Sequence, residues 1–509
     1  MTTARTWTVA VTGIVGNMIE VEANLSSQTP GFFLIGLADK ALSEAVSRVQ
    51  NACQNSGMQL PRRRLTVNLS PASLPKHGAG LDLSIAIAAL ATEHQLDQRS
   101  AASTVHLGEL GLDGRVRPVA GVLPAVQVAR DAGFSRVVVP WANRKEAELV
   151  DGVTVHAVKS LAEAAVLHGA SVAPADVTPV DHAGVAAAPS QAAELADVVG
   201  QADAVEALIV AAAGGHNMLL SGPPGAGKTM LARRLPAVLP PLSDEEALEA
   251  TSVRSISGEP VTALDRDRPF VAPHHGASLA ALVGGGSRTI RPGAIVRAHR
   301  GVLFLDEAAE FTRSALDALR QPLEAGHIEI HRAGFTAAFP ARFQLILATN
   351  PCPCGAYGVV GEECLCTPMA VRRYASRLSG PLRDRIDIEL HVRRVPAAMV
   401  TQPASGTTTT AQAAAKVVLA RDRSRFRLRD TPWQVNADVP GTWLRRPDNA
   451  IPAQARAPLD IALQRGLLTL RSYDRIVRLA WSIADLDAAD IPTIDHVGRA
   501  LFFKKGLHT

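Results

Sequence analysis

Residues 221–230 read SGPPGAGKTM, directly after the apolar run HNMLL. Gly222, Gly227, Lys228 and Thr229 satisfy the phosphate-loop pattern G-x-x-x-x-G-K-[ST], and the run before them supplies the strand such a loop must leave. Loops of this kind converge successive backbone N–H groups on a phosphate, which requires glycine wherever a Cβ would block close approach. Gly222, Pro223, Pro224, Gly225, Ala226 and Gly227 are therefore expected to cradle phosphates. Lys228 would reach the β and γ phosphates, and the Thr229 hydroxyl would ligate Mg²⁺. The plain alternative is a Gly-rich turn without a ligand, which the order strand, loop, helix disfavours.

The chain has 509 residues, more than one core usually serves, so about three domains are expected. With 47% hydrophobic and 20% charged residues the composition is that of a globular protein, and a net charge of +4 is too small to argue for nucleic acid by itself. The N-terminus lacks the pattern of a signal peptide. The longest apolar stretch, residues 204–220, is broken by Glu206 and His216, so no membrane span is expected. Five cysteines, four within fifteen residues, suit a reducing cytoplasm and a metal site better than a disulfide scaffold.

Residues 5 to about 170 alternate β-rich segments (TWTVAVTGI, MIEVEAN, RRLTVNLS, RVVVP) with Ala-rich helical ones, an α/β or α+β pattern. PKHGAGLDLSIAIAAL followed by LGELGLDGRVRPVAGVLPAVQVARDAGFSRVVVP resembles the proteolytic domain of the Lon family, which works through a Ser and Lys dyad. The matching positions here are Gly80 and Leu123, so neither nucleophile nor base remains and a non-proteolytic scaffold is expected. Residues 171–190 read as a linker rich in Ala, Pro and Val, and 396–411 as a second one. Between them, 191–395 carry the phosphate loop, and 412–509 read as a helical lid.

Within the central segment GVLFLDE is a buried parallel strand ending in Asp306 and Glu307, where Mg²⁺ and an attacking water need carboxylates. PHHGAS (273–278), GGGS (284–287), FLDEAAEF (304–311), NPCPCG (350–355) and SGPLRDRID (379–387) together resemble the magnesium-chelatase-related AAA+ ATPases, specifically the YifB/ComM family. The resemblance covers nearly the whole chain, including a Lon-like front domain that the chelatase motor subunits lack.

That resemblance implies an α/β AAA+ core, ATP with Mg²⁺, and a homo-hexameric ring. Asp306 would hold the metal, Glu307 would polarise water, and Asn350 would be the sensor that orients it. Arg385 would be an arginine finger acting on the neighbour's γ-phosphate, with Arg383 leaving the choice between them open. Arg471 would be the second sensor, with Arg475 one turn on as runner-up. The hairpin bearing His331 and Arg332 would face a central pore.

Cys352, Cys354, Cys364 and Cys366 form two C-x-C pairs nine residues apart. Four thiolates suit tetrahedral Zn²⁺, although C-x-C is tighter than usual, and four reduced thiols are the alternative. His274 and His275 are adjacent and so poorly placed to chelate, and a structural or pore-loop role is expected. Arg421, Arg423, Arg425, Arg427 and Arg429 alternate: on a strand they would line one face, on a helix they would spread around it. The expected function is a DNA motor, helicase-like or branch-migrating, using Arg288, Arg291, Arg332 and the arginine run. The alternative is a protein-remodelling ATPase with a protein client.

Overall fold

The computed structural model describes residues 2–36, 40–74, 76, 80–93, 95–174, 176–181, 193–286, 290–332, 335–359, 361–395 and 408–505. Arg288, most of the first expected linker (182–190) and 396–407 of the second lie outside the described residues. Among the described residues no helix is long and apolar enough to cross a membrane.

In the front domain β1 (Thr2–Thr12) and β2 (Val15–Ser26) pair antiparallel along their length. They are joined by Gly13 and Ile14, and Gly13 takes the positive φ (+67°) that a tight turn needs. After β3 (Gly31–Ile35), β4 (Arg64–Ser70) and β5 (Val105–His106), a short ribbon forms from β6 (Glu109–Leu110) and β7 (Val116–Arg117). β8 (Arg136–Pro140) and β9 (Thr154–Val158) complete a seven-stranded sheet in the order β3-β4-β2-β1-β5-β8-β9. The helix Asp82–Ala91 is apolar on all sides, so it is buried on all sides. Its Asp82 is paired with Arg48, yet burial still pushes the carboxyl up to about 6.

The central unit is a parallel sheet of β10 (Met218–Ser221), β11 (Phe270–Val271), β14 (Val302–Leu305), β17 (Gln344–Thr349) and β18 (Ile388–His391). Their order is β11-β14-β17-β10-β18. β14 and β17 are wholly buried, which is why they read as unbroken apolar runs. Two hairpins stand off this sheet: β12 (Gly284–Gly285) with β13 (Arg291–Pro292), and β15 (His327–Arg332) with β16 (Phe335–Pro340). β10 lies between two strands that follow it in the chain, so the loop at its C-terminal end opens into the crevice where the strand order reverses.

Helices Thr410–Leu428, Ala453–Gln464, Leu470–Leu486 and Ile494–Lys505 form the C-terminal unit, packed on the helix Ala202–Gly214. A buried polar chain ties it to the core. His216 contacts Asp387 Oδ2 through Nδ1 (3.2 Å) and the Ser482 hydroxyl through Nε2 (2.8 Å). The arginine run lies on the helix Thr410–Leu428 and just beyond it, so it spreads around the cylinder. Arg421 is buried on the Ala212 carbonyl, and Arg427 forks onto Asp485 over the Trp481 ring. At least these two arginines hold the fold together.

The front domain is bolted to the core. Glu146, 2% exposed, accepts the backbone N–H of Leu123 (3.0 Å) through Oε1, which also takes the hydroxyl of Ser255 from the core. Its other oxygen accepts from Asn143 (2.9 Å). Gly121 N–H donates to the Ser255 carbonyl (3.1 Å). At the other end of the interface the β1–β2 turn is so close to β16 that a Cβ on Gly13 would lie 2.1 Å from the Ala338 carbonyl oxygen. Leu123, where a protease of the resembling type would need lysine, is fully buried.

Candidate nucleotide site and cysteine knuckle

The loop leaving β10 is shaped by its glycines. Gly225 (φ +76°) and Gly227 (φ +87°) take left-handed backbone, and Gly222 passes the Val392 carbonyl so closely that a Cβ would meet it at 2.1 Å. Lys228 folds back over the loop. Its ammonium donates to the carbonyls of Gly222 (2.6 Å) and Pro223 (2.9 Å) and to Asn350 Oδ1 (3.1 Å). Burial lowers its pKa from the ordinary lysine value, against the opposing pull of Asp306 and Glu307.

Asp306 and Glu307 follow β14 and Asn350 follows β17, so the parallel sheet delivers all three to the edge that carries the loop. The Thr229 hydroxyl donates to Asp306 Oδ2 (2.6 Å), and Asp306 Oδ1 accepts the Glu307 N–H (3.0 Å). Glu307 itself has φ +51°, uncommon for a residue with a side chain. Its carboxylate is separated from that of Asp306 in function as well, since Oε2 lies 2.9 Å from His275 Nδ1. His275 was expected to be structural or part of a pore loop, but it sits on a carboxylate of the site. The signal was the position of PHHG just after β11, but only the sheet order makes β11 a neighbour of β14.

A cavity of about 1020 Å³, lined in part by Val198, Gly200, Gln201, Ile209, His391 and Phe502, opens beside the loop. Gln201 joins the two, donating to the Ala226 carbonyl (2.5 Å). Sequence reasoning missed this cavity because its walls come from three distant segments. It is large enough for a nucleoside.

The four cysteines form one knuckle directly after Asn350. Cys352 Sγ is 3.3 Å from Cys354 and 3.7 Å from Cys364, Cys354 is 3.7 Å from Cys364, and all four sulfurs lie within 4.8 Å of one another. Zinc bonds of about 2.3 Å at tetrahedral angles place sulfurs about 3.8 Å apart, so the set fits a tetrahedral metal. The Ala356 N–H, followed by the neighbouring cysteines, pulls the Cys354 thiol down to about 6. The knuckle rests on the phosphate loop: Gly355 packs on Pro224, and Arg394 bridges the Pro224 carbonyl (3.0 Å) and Glu362.

The arginines lie elsewhere. β18 runs parallel to β10 with Ile388 opposite Met218, so residues just before β18 sit at the end of the strands opposite the loop, about 13 Å away along four residues. There Arg383 pairs with Glu389 (2.6 Å) and Arg385 with Glu324. Arg471 reaches Asp384 (3.1 Å) at the same end, half-exposed. Arg475 is buried and donates to the Ile386 carbonyl (2.8 Å), pinning the helix Leu470–Leu486 to the core. His331 is exposed near the tip of the β15–β16 hairpin, Arg332 pairs in register with Phe335, and Arg291 is exposed on β13.

The family model for "Magnesium chelatase, subunit ChlI" matches residues 194–400. Those for "Subunit ChlI of Mg-chelatase" and "Magnesium chelatase, subunit ChlI C-terminal" match 21–143 and 407–504. An uncharacterized protein of Mycobacterium tuberculosis is 47% identical over 99% of both chains. The competence protein ComM of Haemophilus influenzae is 38% identical over 99% of this chain and 98% of its own. The uncharacterized YifB of Escherichia coli is 38% identical over 97% and 96%. On these likenesses, spanning front domain, core and lid, the chain belongs to the ComM/YifB group of magnesium-chelatase-like AAA+ ATPases.

Proposed function

We propose that the chain is the cytoplasmic subunit of a homo-hexameric ring that hydrolyses ATP and works on DNA, in helicase-like or branch-migrating fashion. The observation that carries the hydrolytic reading is the convergence of Thr229, Asp306, Glu307, Lys228 and Asn350 at one sheet edge, with the arginines at the other. ATP would place its base and ribose in the cavity beside Gln201 and its phosphates on residues 222–228. Thr229 and Asp306 would hold Mg²⁺, which neutralises phosphate charge when bound. Water attacks the γ-phosphorus, the bond to the β-phosphate oxygen breaks, ADP leaves, and Glu307 takes the proton from the water. Asn350 orients that water. Arg385 and Arg471 serve the γ-phosphate of the adjacent subunit, because their own is out of reach.

The cysteine knuckle would hold Zn²⁺ as a structural staple, and the front domain is a Lon-like scaffold without proteolysis. DNA is supported by the exposed hairpin carrying His331, by Arg291, and by likeness to a protein named for competence. The second reading, a protein-remodelling ATPase, is favoured less, since the front domain is locked to the core rather than free to receive a client. The test is the ATPase rate with and without single-stranded and branched DNA, for wild type and Glu307→Gln. A DNA-stimulated rate lost in the variant supports the reading; indifference to DNA overturns its DNA half.

A further inference from the structure

The His275 contact on Glu307 is not needed to build the fold. Both side chains are partly exposed, 38% and 50%, and neither fills a core. What the contact does is chemical. A carboxylate that accepts a hydrogen bond from an imidazole is a weaker base, and one tethered to a neighbouring loop is not free to follow a water. His274 stabilises the loop instead of competing for the carboxylate: its Nδ1 accepts the Gly276 N–H (3.1 Å) and its ring lies 4.1 Å from that of His275.

The loop has a second connection. From His275 the chain runs through Ser278, which caps the helix Leu279–Val283, and into β12. There Gly284 approaches β15 so closely that a Cβ would lie 2.8 Å from Ile330 Cδ1, and Leu282, Ile328 and Ile330 share one buried cluster. His275 is thus the end of a packed path that begins at the β15–β16 hairpin. The path is short and continuous in sequence on the His275 side.

We propose that His275 is a positioning residue that restrains Glu307, and that displacement of the hairpin and the β12 insert releases the carboxylate for hydrolysis. The proposal rests on Glu307 being the base that activates water. It adds a control on that base, exerted from the hairpin that the proposed function places toward the polymer.

The test is steady-state hydrolysis of Mg-ATP by the full-length protein. His275→Ala raises kcat about threefold to tenfold with KM for ATP unchanged, because only the restraint on the base is lost. His275→Gln, which keeps a donor, gives a smaller rise. In a Glu307→Gln background the His275→Ala change has no effect, since the two residues act as one unit. Single-stranded DNA, if it stimulates wild type, stimulates His275→Ala less. A kcat that falls or stays constant in His275→Ala, or a rise that persists without the Glu307 carboxylate, overturns the restraint. A Glu307→Gln protein with wild-type hydrolysis overturns the base assignment instead, so the two failures are read separately. Melting temperatures of the variants confirm that each compares folded protein.

Discussion

A Cβ added to Gly355 would lie 2.5 Å from Cδ of Pro224, so the cysteine knuckle and the phosphate loop are in direct backbone-limited contact. Gly355 also has φ +81°, which a β-branched residue tolerates poorly. Gly355→Val is therefore expected to push the loop off its geometry and weaken ATP binding by about tenfold or more, with secondary structure retained. Titration with a fluorescent ATP analogue measures it. Cys352→Ser with Cys364→Ser removes half the sulfur set and is expected to act on the same loop through the same contact, with metal content falling in parallel.

The two lid arginines separate cleanly. Arg475→Ala leaves the Ile386 carbonyl and Asp387 without their partner in a buried setting and is expected to destabilise the protein by about 1–3 kcal/mol. Arg471→Ala removes one exposed pair with Asp384, worth about 0–1 kcal/mol to the fold, yet it should abolish most hydrolysis in the assembled ring. Denaturant unfolding and ATPase rates, taken on both variants, check the reversal. An Arg471→Ala protein with normal hydrolysis would exclude it as a sensor.

Glu146→Ala strands the Leu123 N–H, the Asn143 amide and the Ser255 hydroxyl at once. A cost of about 2–4 kcal/mol is expected, together with a new protease-sensitive opening between front domain and core. Limited proteolysis of variant against wild type reads the opening.

Acid should loosen the front domain before the core. His106 Nε2 and His168 Nε2 are 2.8 Å apart, and one proton between them satisfies both rings. Their outer nitrogens meet the Thr6 and Ser100 hydroxyls, with Arg136 nearby. Burial, helped by Arg136, lowers the His168 pKa to about 4 and that of His106 well below the ordinary value. The folded-state values are depressed, so the stabilisation is complete above about pH 6.5 and is lost as pH falls toward about 4. Melting temperature should decline across that window, and less steeply in His168→Gln.

Much of the catalytic edge was legible before any coordinates. A phosphate loop, an acidic pair after an apolar run and Asn350 after another each carry a local signature, and a parallel sheet has only one edge to which their loops can go. The capping box at Ser243 was legible for the same reason, since Ser243 and Glu246 are three residues apart. What stayed hidden depended on which strands are neighbours. His275 meets Glu307 only because β11 lies beside β14, and the cavity gathers residues from near 200, 390 and 500. The alternating arginines misled in a different way: spacing of two suits a strand face, but the helix Thr410–Leu428 turned them to separate partners.

The distance along β18 from Arg385 to the loop end has a consequence for mixtures. If each active centre takes Lys228 from one chain and Arg385 from the next, a chain lacking only the lysine and a chain lacking only the arginine are each inert alone. Co-assembled, they create some junctions where both good halves meet. Two dead alleles expressed together would then rescue one another in part, while either one, added to wild type, would poison it out of proportion to its share.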